Sequence, residues 1–492
     1  FFIINFNLSF INNKSAQIKM KNAALIVFGM LILFSCKQDP KTENIEKVKD
    51  NELTLLQAEV KAETLRSWQA YKKYAWGHDV LLPLSKSYFN WYKESLGISP
   101  IDAYSTLKVM GLENEAKEIE EYALAMDWDK DLYVQTFEVN IRILGGLLSM
   151  YHYTKNEAIL EKTKDFGDRI LPAFNTPTGI PAHSVNLRTG KLAGNQGKGK
   201  GDIVNVAQAA TYLFEFGILS YYTKDPKYYQ AAKKATKAIF DRKSEIGLPG
   251  ENINVNTGEW EGTKWHHLQA GVDAYYEYMY KSWMIFPDPE IKEIWDYSKS
   301  KIDEYLLDEY EGQTFYTIVD METGEILKRS VSLYDAFFPA IQAISGDIDA
   351  AEKNQKTWDW LWNKYGLLPS RYKYDEDKIE YANSEINPEI MESAYYLNQI
   401  TGKEEYLNMI KQYWADVKKN CKNDIAFNSI QDVRTMEKKD YLATYFFAET
   451  MKYFYIAFSQ GEFDFNEHVF NTEAHTFKKS DFNSDEAKIR LG

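Results

Sequence analysis

Cysteine, histidine and positive charge are all scarce in this chain. Only two of its 492 residues are cysteine, which excludes a framework of disulfide bonds as the basis of the fold. None of the seven histidines forms a pair at a spacing typical of a zinc site. The formal net charge is −14, whereas proteins that bind nucleic acid usually carry a basic surface, so we expect no nucleic-acid partner.

The apolar run near the start of the chain is too short to cross a membrane. It extends from Ala23 to Phe34, follows Met20-Lys21-Asn22, and ends just before Cys36. This arrangement resembles a bacterial lipoprotein signal, which is cleaved before a cysteine that carries the lipid. A membrane-spanning helix is the alternative interpretation.

These signals predict how the chain is divided. We expect residues 1–19 to lie upstream of the mature protein, 20–35 to be a signal peptide, 36–52 a polar tether, 53–478 one domain and 479–492 a tail. If Cys36 is lipidated, Cys421 has no partner for an intramolecular disulfide. The lipid would then be the sole membrane contact, at the bacterial cell envelope, facing either the periplasm or the outside.

Repeated helical hairpins dominate the rest of the chain. Tight turns follow successive aromatic-rich segments, and nearly the same phrase recurs at Tyr153–Asn156 and at Tyr222–Asp225. The turns lie near Gly111, Thr154, Thr223, Trp283, Ser345, Thr401 and Ser459. Seven turns predict an all-α fold of about fourteen helices, arranged either as an open solenoid or as a closed α/α barrel.

Acidic residues fall at corresponding places in several of these hairpins. Glu138, Asp273 and Glu389 each lie near the N-terminal end of a helix that precedes a turn. In a closed barrel those ends would meet at one mouth. Acids at helix starts also compensate the helix dipole, and Glu138 with Arg142 one turn later matches a structural ion pair. Glu449 is different, because it lies on an apolar helix where an unpaired charge is costly.

Several sequence motifs resemble those of a known family, and they occur in order between about Ala70 and His475. These motifs are Phe137-Glu138-Val139-Asn140-Ile141-Arg142, the aromatic helix from Asp273 to Lys281, Pro388-Glu389 with Glu392, Ala448-Glu449-Thr450, and Phe470-Asn471-Thr472-Glu473-Ala474-His475. Together they resemble the class I α-mannosidases, glycoside hydrolase family 47. The resemblance implies an (α/α)7 barrel of seven hairpins, plugged by a short extended C-terminal segment. It also implies calcium-dependent, inverting removal of α-1,2-linked mannose from oligosaccharides by a protein that we expect to be a monomer.

The resemblance also implies a role for each matching residue. Glu138 matches the general acid, Glu389 the general base and Asp273 a third catalytic carboxylate, although acid and base could be exchanged among the three. The sugar-contacting positions are Arg142, Gly271, Glu392, Tyr445, Glu449 and Glu473. Thr472 matches the single residue that ligates calcium directly, through its hydroxyl and main-chain oxygens, which suits a hard cation.

Four positions bear on substrate preference and stability. Asn387 stands where the family motif has arginine, Gln208 where many members have glutamate, and Ala336 where one cysteine of a family disulfide would be. Gly271 lies two residues before Asp273, where related enzymes carry a large basic or an apolar residue. Its small size predicts tolerance of several α-1,2-linked branches.

Two other classes of protein stay open at this point. A lectin-like relative would keep the barrel and bind mannosyl glycans without cleaving them, but the intact catalytic acids argue against it. A helical glycan-binding lipoprotein that serves an outer-membrane importer would suit the length and the anchor. It would leave the mannosidase phrases unexplained.

Overall fold

The computed structural model describes residues 40–193 and 201–492. The predicted signal peptide and Cys36 lie outside the described residues. Helix α1 (Pro40–Tyr74) begins within the segment predicted to be a tether, and residues 54–492 form one compact unit. No helix in the described part of the chain is both long and apolar enough to cross a bilayer.

Six helix pairs follow one another along the compact unit, and a tight turn joins the two members of each. They are α2 (Ile98–Val109) with α3 (Glu113–Ala125); α4 (Thr136–Val139, Asn140–Leu144 and Gly145–Thr154) with α5 (Glu157–Ile170); α7 (Leu213–Thr223), preceded by the short α6 (Val206–Ala210), with α8 (Lys227–Phe240); α9 (Asp273–Ile285) with α10 (Pro289–Tyr305); α11 (Phe338–Ile344) with α12 (Ile348–Tyr365); and α13 (Glu389–Thr401) with α14 (Glu404–Cys421).

The first helices of these pairs form an inner ring. Each contacts the first helix of the next pair, and α15 (Phe446–Thr450 and Met451–Ala457) closes the ring by contacting both α13 and α2. The outer partner of α15 comes from the other end of the unit, because α1 pairs with α14 through Glu59–Lys418 and with α3 through Lys72–Glu118. The predicted (α/α)7 barrel is therefore confirmed, and its seventh pair is assembled from two distant segments.

Short strands lie between the helices, and only the one at His468–Phe470 falls in a segment that the sequence predicted to be extended. They are β1 (Val80–Leu82), β2 (Ser87–Phe89), β3 (Tyr133–Gln135), β4 (Ser184–Asn186), β5 (Ile203–Asn205), β6 (Asn252–Asn254), β7 (Trp260–Glu261), β8 (Trp265–His266), β9 (Leu307–Tyr310), β10 (Gln313–Tyr316), β11 (Ile318–Asp320), β12 (Ile326–Lys328), β13 (Ser330–Ser332), β14 (Arg371–Lys373), β15 (Lys378–Tyr381), β16 (Ser429–Asp432), β17 (Glu437–Lys439), β18 (His468–Phe470) and β19 (Thr476–Lys478).

These strands pair antiparallel in small sheets. The orders are β1–β2, β3–β4, β5–β6–β7, β8–β11–β12, β10–β9, β13–β14–β15, β16–β17 and β18–β19. Since β3 ends immediately before α4 and β5 immediately before α6, the sheets that precede the inner helices surround the end of the barrel where those helices begin. They fix the loops that enter that end.

The β18–β19 hairpin enters the barrel from the other end. Residues 471–475 form its tip, where Asn471 donates to the Ile141 carbonyl oxygen at 3.0 Å and to Glu215 Oε1 at 2.8 Å. Lys452 of α15 donates to the Ala474 carbonyl oxygen. The tip thus contacts three inner helices, α4, α7 and α15. After it, the predicted tail contains the helix α16 (Ser484–Leu491), which packs against α7.

Candidate active site

A cavity of about 300 Å³ opens where the inner helices begin. It brings together every predicted catalytic, sugar-contacting and calcium-ligating residue: Glu138, Arg142, Gly271, Asp273, Glu389, Glu392, Tyr445, Glu449, Thr472 and Glu473. The predicted lipidation site, Cys36, is the one assigned position that the structure does not describe.

The helix ends explain where the acids lie. Asp273 and Glu389 are the first residues of α9 and α13, and Glu138 is the third residue of α4. The positive end of a helix dipole favours a carboxylate within the first turn. Because these three helices belong to the inner ring, their acids converge on one cavity.

Arg142 is the cation at the centre of the lining. Its Nε donates to Glu138 Oε2 at 3.0 Å, and its Nη1 bonds to Asp102 Oδ2 at 3.4 Å and to Glu473. The rings of Trp91 and Tyr445 lie 5.3 and 5.9 Å from the guanidinium carbon. Burial opposes its charge, but Glu473, Glu138 and Asp102 raise the pKa of Arg142 well above its usual range.

A second cation, which the sequence analysis missed, lies behind the cavity wall. The buried Lys281 ammonium donates to Glu277 Oε1 at 2.6 Å and to Glu392 Oε1 at 2.9 Å. Glu277 also lines the cavity and was missed. The signal was present, since Asp273, Glu277 and Lys281 are four residues apart and share one helix face.

Two carboxyl groups are held in conditions that favour the protonated form. Burial raises the pKa of Asp273 to about 7, and the charges of Glu277 and Glu138 contribute. Burial also raises the pKa of Glu389 well above its usual range, as do Glu392 and Asp273. Glu389 Oε2 is buried and has no hydrogen-bond partner among the described residues. A carboxyl group with a pKa of about 7, such as that of Asp273, can exchange a proton near neutral pH, as acid–base catalysis requires.

The cavity holds more acid than the protein's own cations balance. In the described lining, Arg142 is the one cation. Seven carboxyl side chains also line the cavity: Glu138, Asp273, Glu277, Glu389, Glu392, Glu449 and Glu473. Burial, and then Glu473, raise the pKa of Glu449 well above its usual range. An oxygen-rich site with excess negative charge fits a hard divalent cation.

The donor geometry limits how such a cation could bind. Within residues 40–193 and 201–492, no three Asp, Glu, His or Cys side chains lie close enough to hold a metal directly. Thr472 lines the cavity between the acids at the hairpin tip. The residues present therefore fit an ion whose ligands are Thr472 and water molecules, with the carboxylates hydrogen-bonded to those waters.

Buried polar groups below the cavity hold the hairpin tip in place. Glu215 accepts hydrogen bonds from Tyr278 at 2.6 Å, Asn471 at 2.8 Å and Asn140 at 2.9 Å. His475 Nε2 lies 3.3 Å from Asp102 Oδ1. Neither Glu215 nor Asp102 was expected from the sequence to have a role. Helical patterns do not show which buried acids share a neighbour.

The positions that depart from the family have clear structural surroundings. Gly271 adopts φ of +105°, a backbone conformation that other residues rarely adopt, and an added Cβ would lie 3.2 Å from Asn205. Glycine there meets a backbone requirement, and Asn205 fills part of the neighbouring space. Gln208 accepts from the Asn205 backbone in a helix cap, whereas Asn387 is buried and accepts from the Glu385 backbone.

The fold and the acid-lined cavity together define an (α/α)-barrel glycosidase. The structure is similar to that of an α-1,2-mannosidase from Trichoderma reesei, with a TM-score of 0.80 and 23% identity, over 86% of this chain and 99% of that one. The particular family follows from the sequence.

The chain belongs to glycosyl hydrolase family 47, whose model matches residues 63–479. It is 30% identical over 454 residues to Alpha-mannosidase I MNS4 of Arabidopsis thaliana, covering 87% of this chain and 70% of that protein. It is also 30% identical over 440 residues to the endoplasmic reticulum mannosyl-oligosaccharide 1,2-alpha-mannosidase of Homo sapiens, covering 84% of this chain and 62% of that protein.

Lys281→Met provides a test of the buried ion pairs. Methionine keeps much of the lysine's volume but leaves Glu277 and Glu392 without a cation, so we expect a loss of about 3–5 kcal/mol in the free energy of unfolding. Burial already raises the pKa of Glu392, and removing the ammonium should raise it further. The folded state then binds more protons than the unfolded chain, so the loss should grow between pH 5 and pH 8 in denaturant titrations.

Two further variants separate this effect from a general loss of packing. Lys292→Met removes an exposed ion pair with Asp296 on α10 and should cost less than about 1 kcal/mol. Adding Glu392→Gln to Lys281→Met should restore part of the stability, because it removes one unpaired carboxylate. A pH-independent loss that the second change does not relieve would contradict the assignment.

Proposed function

We propose that this protein is an exo-acting, inverting α-1,2-mannosidase that requires calcium and removes terminal mannose from mannose-containing oligosaccharides. The observation that carries the proposal is the convergence of Glu138, Asp273 and Glu389 in one cavity of a family 47 chain. The relatives and the structural neighbour described above are all named as mannosidases, which supports the choice of sugar. A protein that binds such glycans without cleaving them is the alternative.

The shape of the cavity supports attack at the end of a sugar chain. Asn471, Ala474 and His475 of the hairpin tip are fully buried among the inner helices, so the barrel is filled below Thr472 and Glu473. A cavity closed on that side has room for a terminal residue, and the rest of the glycan must leave through the mouth. The residues that line the cavity would then set which linkage fits.

The acids have the properties that inverting hydrolysis needs. Such a reaction uses a proton donor at the leaving oxygen and a base that activates water on the opposite face of the sugar. We take the assignment of Glu389 as the base and Glu138 as the proton donor from the family resemblance. Glu389 Oε2 has no hydrogen-bond partner among the described residues, and a cation bound nearby would favour the ionised form that a base needs. Arg142 holds Glu138 in position at 3.0 Å. Asp273, with a pKa of about 7, supplies a second group that exchanges protons at neutral pH.

Calcium would bind at Thr472. When bound, it would supply orientation of sugar hydroxyls and polarisation of a water molecule. The excess of carboxylates around Thr472 supports this choice, and Glu449 and Glu473 would hold the surrounding waters. The choice of calcium rests on the family resemblance, and magnesium would require a smaller, octahedral site.

Attachment to the cell envelope is also proposed, on the strength of the sequence before α1. The apolar run ending at Ser35-Cys36 supports lipidation of Cys36 and a monomer tethered outside the cytoplasm. Labelling with a fatty-acid analogue should mark the wild-type protein and leave Cys36→Ala unmarked. Equal labelling of the two would remove the anchor.

Glu138→Gln and Glu389→Gln test the catalytic assignment. Each change keeps the side chain's shape but removes its acid–base function, so we expect turnover of α-1,2-mannobiose to fall by about 10²–10⁴-fold. Glu161→Gln, on the exposed side of α5, is the control and should act as wild type. NMR of the first product should show β-mannose. Release of α-mannose would exclude inversion, and near-normal turnover in either variant would exclude that residue.

Removal of calcium tests the metal assignment. Exhaustive chelation should abolish turnover, and calcium should restore it better than magnesium. Because the ion would bind only the folded state, the melting temperature should rise with calcium concentration. Thr472→Val, close to threonine in shape, should lose this rise. Full turnover in a preparation that metal analysis shows to be empty would contradict both the ion and the role of Thr472.

A further inference from the structure

A second, smaller cavity lies at the surface, apart from the active-site cavity. It has a volume of about 170 Å³, and five aromatic side chains line it: Tyr310, Phe315, Trp360, Tyr372 and Tyr374. The mechanism proposed above uses none of them. Phe315, Tyr372 and Tyr374 are buried and form the base of this cavity, whereas Tyr310 is partly exposed and Trp360 is exposed at its rim. A concave space with an aromatic lining and an exposed indole is a candidate binding site.

The five rings contact one another in two groups, and Trp360 is the most exposed of them. Phe315 and Tyr374 stack with centroids 3.9 Å apart, and Tyr310 meets Tyr374 at 5.7 Å. Trp360 lies edge-on to Tyr372 at 6.1 Å, and 37% of its surface is exposed. Trp360 therefore offers the ring surface that a ligand could cover. The preformed rings lose little entropy when they are covered.

Polar groups at the same cavity indicate what kind of ligand fits. Lys364 lies 5.4 Å from the Trp360 ring centroid and donates to Tyr372 Oη at 3.2 Å and to Asp377. The chain thus already supplies the cation for these rings, so a cationic ligand would be in competition with it. Gln313 adds a neutral amide. A neutral molecule with an apolar face and a hydroxylated edge, such as a pyranose ring, matches both the rings and the polar groups.

The cavity lined by Trp360 lies at the same end of the barrel as the active-site cavity. The β13–β14–β15 sheet joins the two: β13 leads within two residues to Tyr334, which lines the active-site cavity, and β14 carries Tyr372. β15 begins just after Asp377 and ends at Tyr381, which is 60% exposed, before the chain continues to Glu389. Both cavities are therefore at the end of the barrel where the inner helices begin.

We propose that the Trp360 cavity binds a mannosyl residue of the substrate glycan away from the residue that is cleaved. This inference rests on the proposed function for the identity of the sugar. A large or branched glycan would bind at both cavities, and its effective concentration at the active site would rise. A disaccharide would bind at the active-site cavity alone.

Trp360→Ala separates these two substrates. In a Glu389→Gln background, retention of the protein in gels containing soluble α-mannan should weaken by about three- to tenfold. With Glu389 intact, KM for α-mannan should rise by a similar factor, whereas kcat/KM for α-1,2-mannobiose should stay unchanged. Trp360→Phe keeps a smaller ring and should give an intermediate value.

Trp283→Ala is the matched control. Trp283 is a partly exposed tryptophan at the opposite end of the barrel, near the end of α9, and its loss should change neither retention nor KM. Wild-type retention by Trp360→Ala would overturn the inference, as would an equal loss on the disaccharide. Conversion of a dimer to a monomer by Trp360→Ala in size-exclusion chromatography would also overturn it. Retention is measurable without turnover, so an inactive wild type would refute the proposed function and leave this inference decidable.

Discussion

Burial of carboxyl groups around one guanidinium is the constraint on which the site depends. Arg142 contacts Glu138 on its own helix, Asp102 on α2 and Glu473 in the hairpin tip. Breaking a buried ion pair leaves the other charge uncompensated in a medium of low dielectric constant. Three parts of the chain that are far apart in sequence are therefore held together by charge as well as by packing. If the hairpin tip left the barrel, Glu473 would be separated from Arg142, and this buried ion pair would be lost.

Concentrating so much acid in one cavity costs free energy, and the fold offsets part of that cost. The positive ends of α9 and α13 face the cavity where Asp273 and Glu389 begin those helices. Lys281 adds a buried cation for two further acids. Burial first, and then the neighbouring acids, raise the pKa values of Asp273 and Glu389. The excess of acid in this buried cavity also supports the affinity that we propose for a divalent cation.

The sequence predicted those parts of the structure that have local signals. Apolar periodicity and repeated turns predicted the hairpins, and acids at helix starts predicted which side chains meet. The sheets were missed because strands of two residues, such as β7 and β8, are too short to show a period of two. Lys281 was missed because Glu277 and Lys281 have the spacing of an ordinary exposed pair. The pairing of α15 with α1 depends on contacts between distant segments, which no local pattern encodes.

Two departures from α-helical geometry explain how the inner ring accommodates the site. Asn140–Leu144 in α4 and Phe446–Thr450 in α15 are π-helical turns, and they contain Arg142 and Glu449. Such turns are rare in proteins overall, and those that occur are often found at functional sites. A π-helical turn widens the helix and shifts the register of the residues after it. In α4 the residues after the turn are Gly145 and Gly146, where a Cβ would lie 2.8 Å from Asn471 and 2.6 Å from the Ile101 carbonyl oxygen. The widened turn thus directs the Arg142 side chain into the cavity. The same turn places Gly145 against the hairpin tip and Gly146 against α2, so one local distortion serves both the chemistry of the site and the close packing of α4.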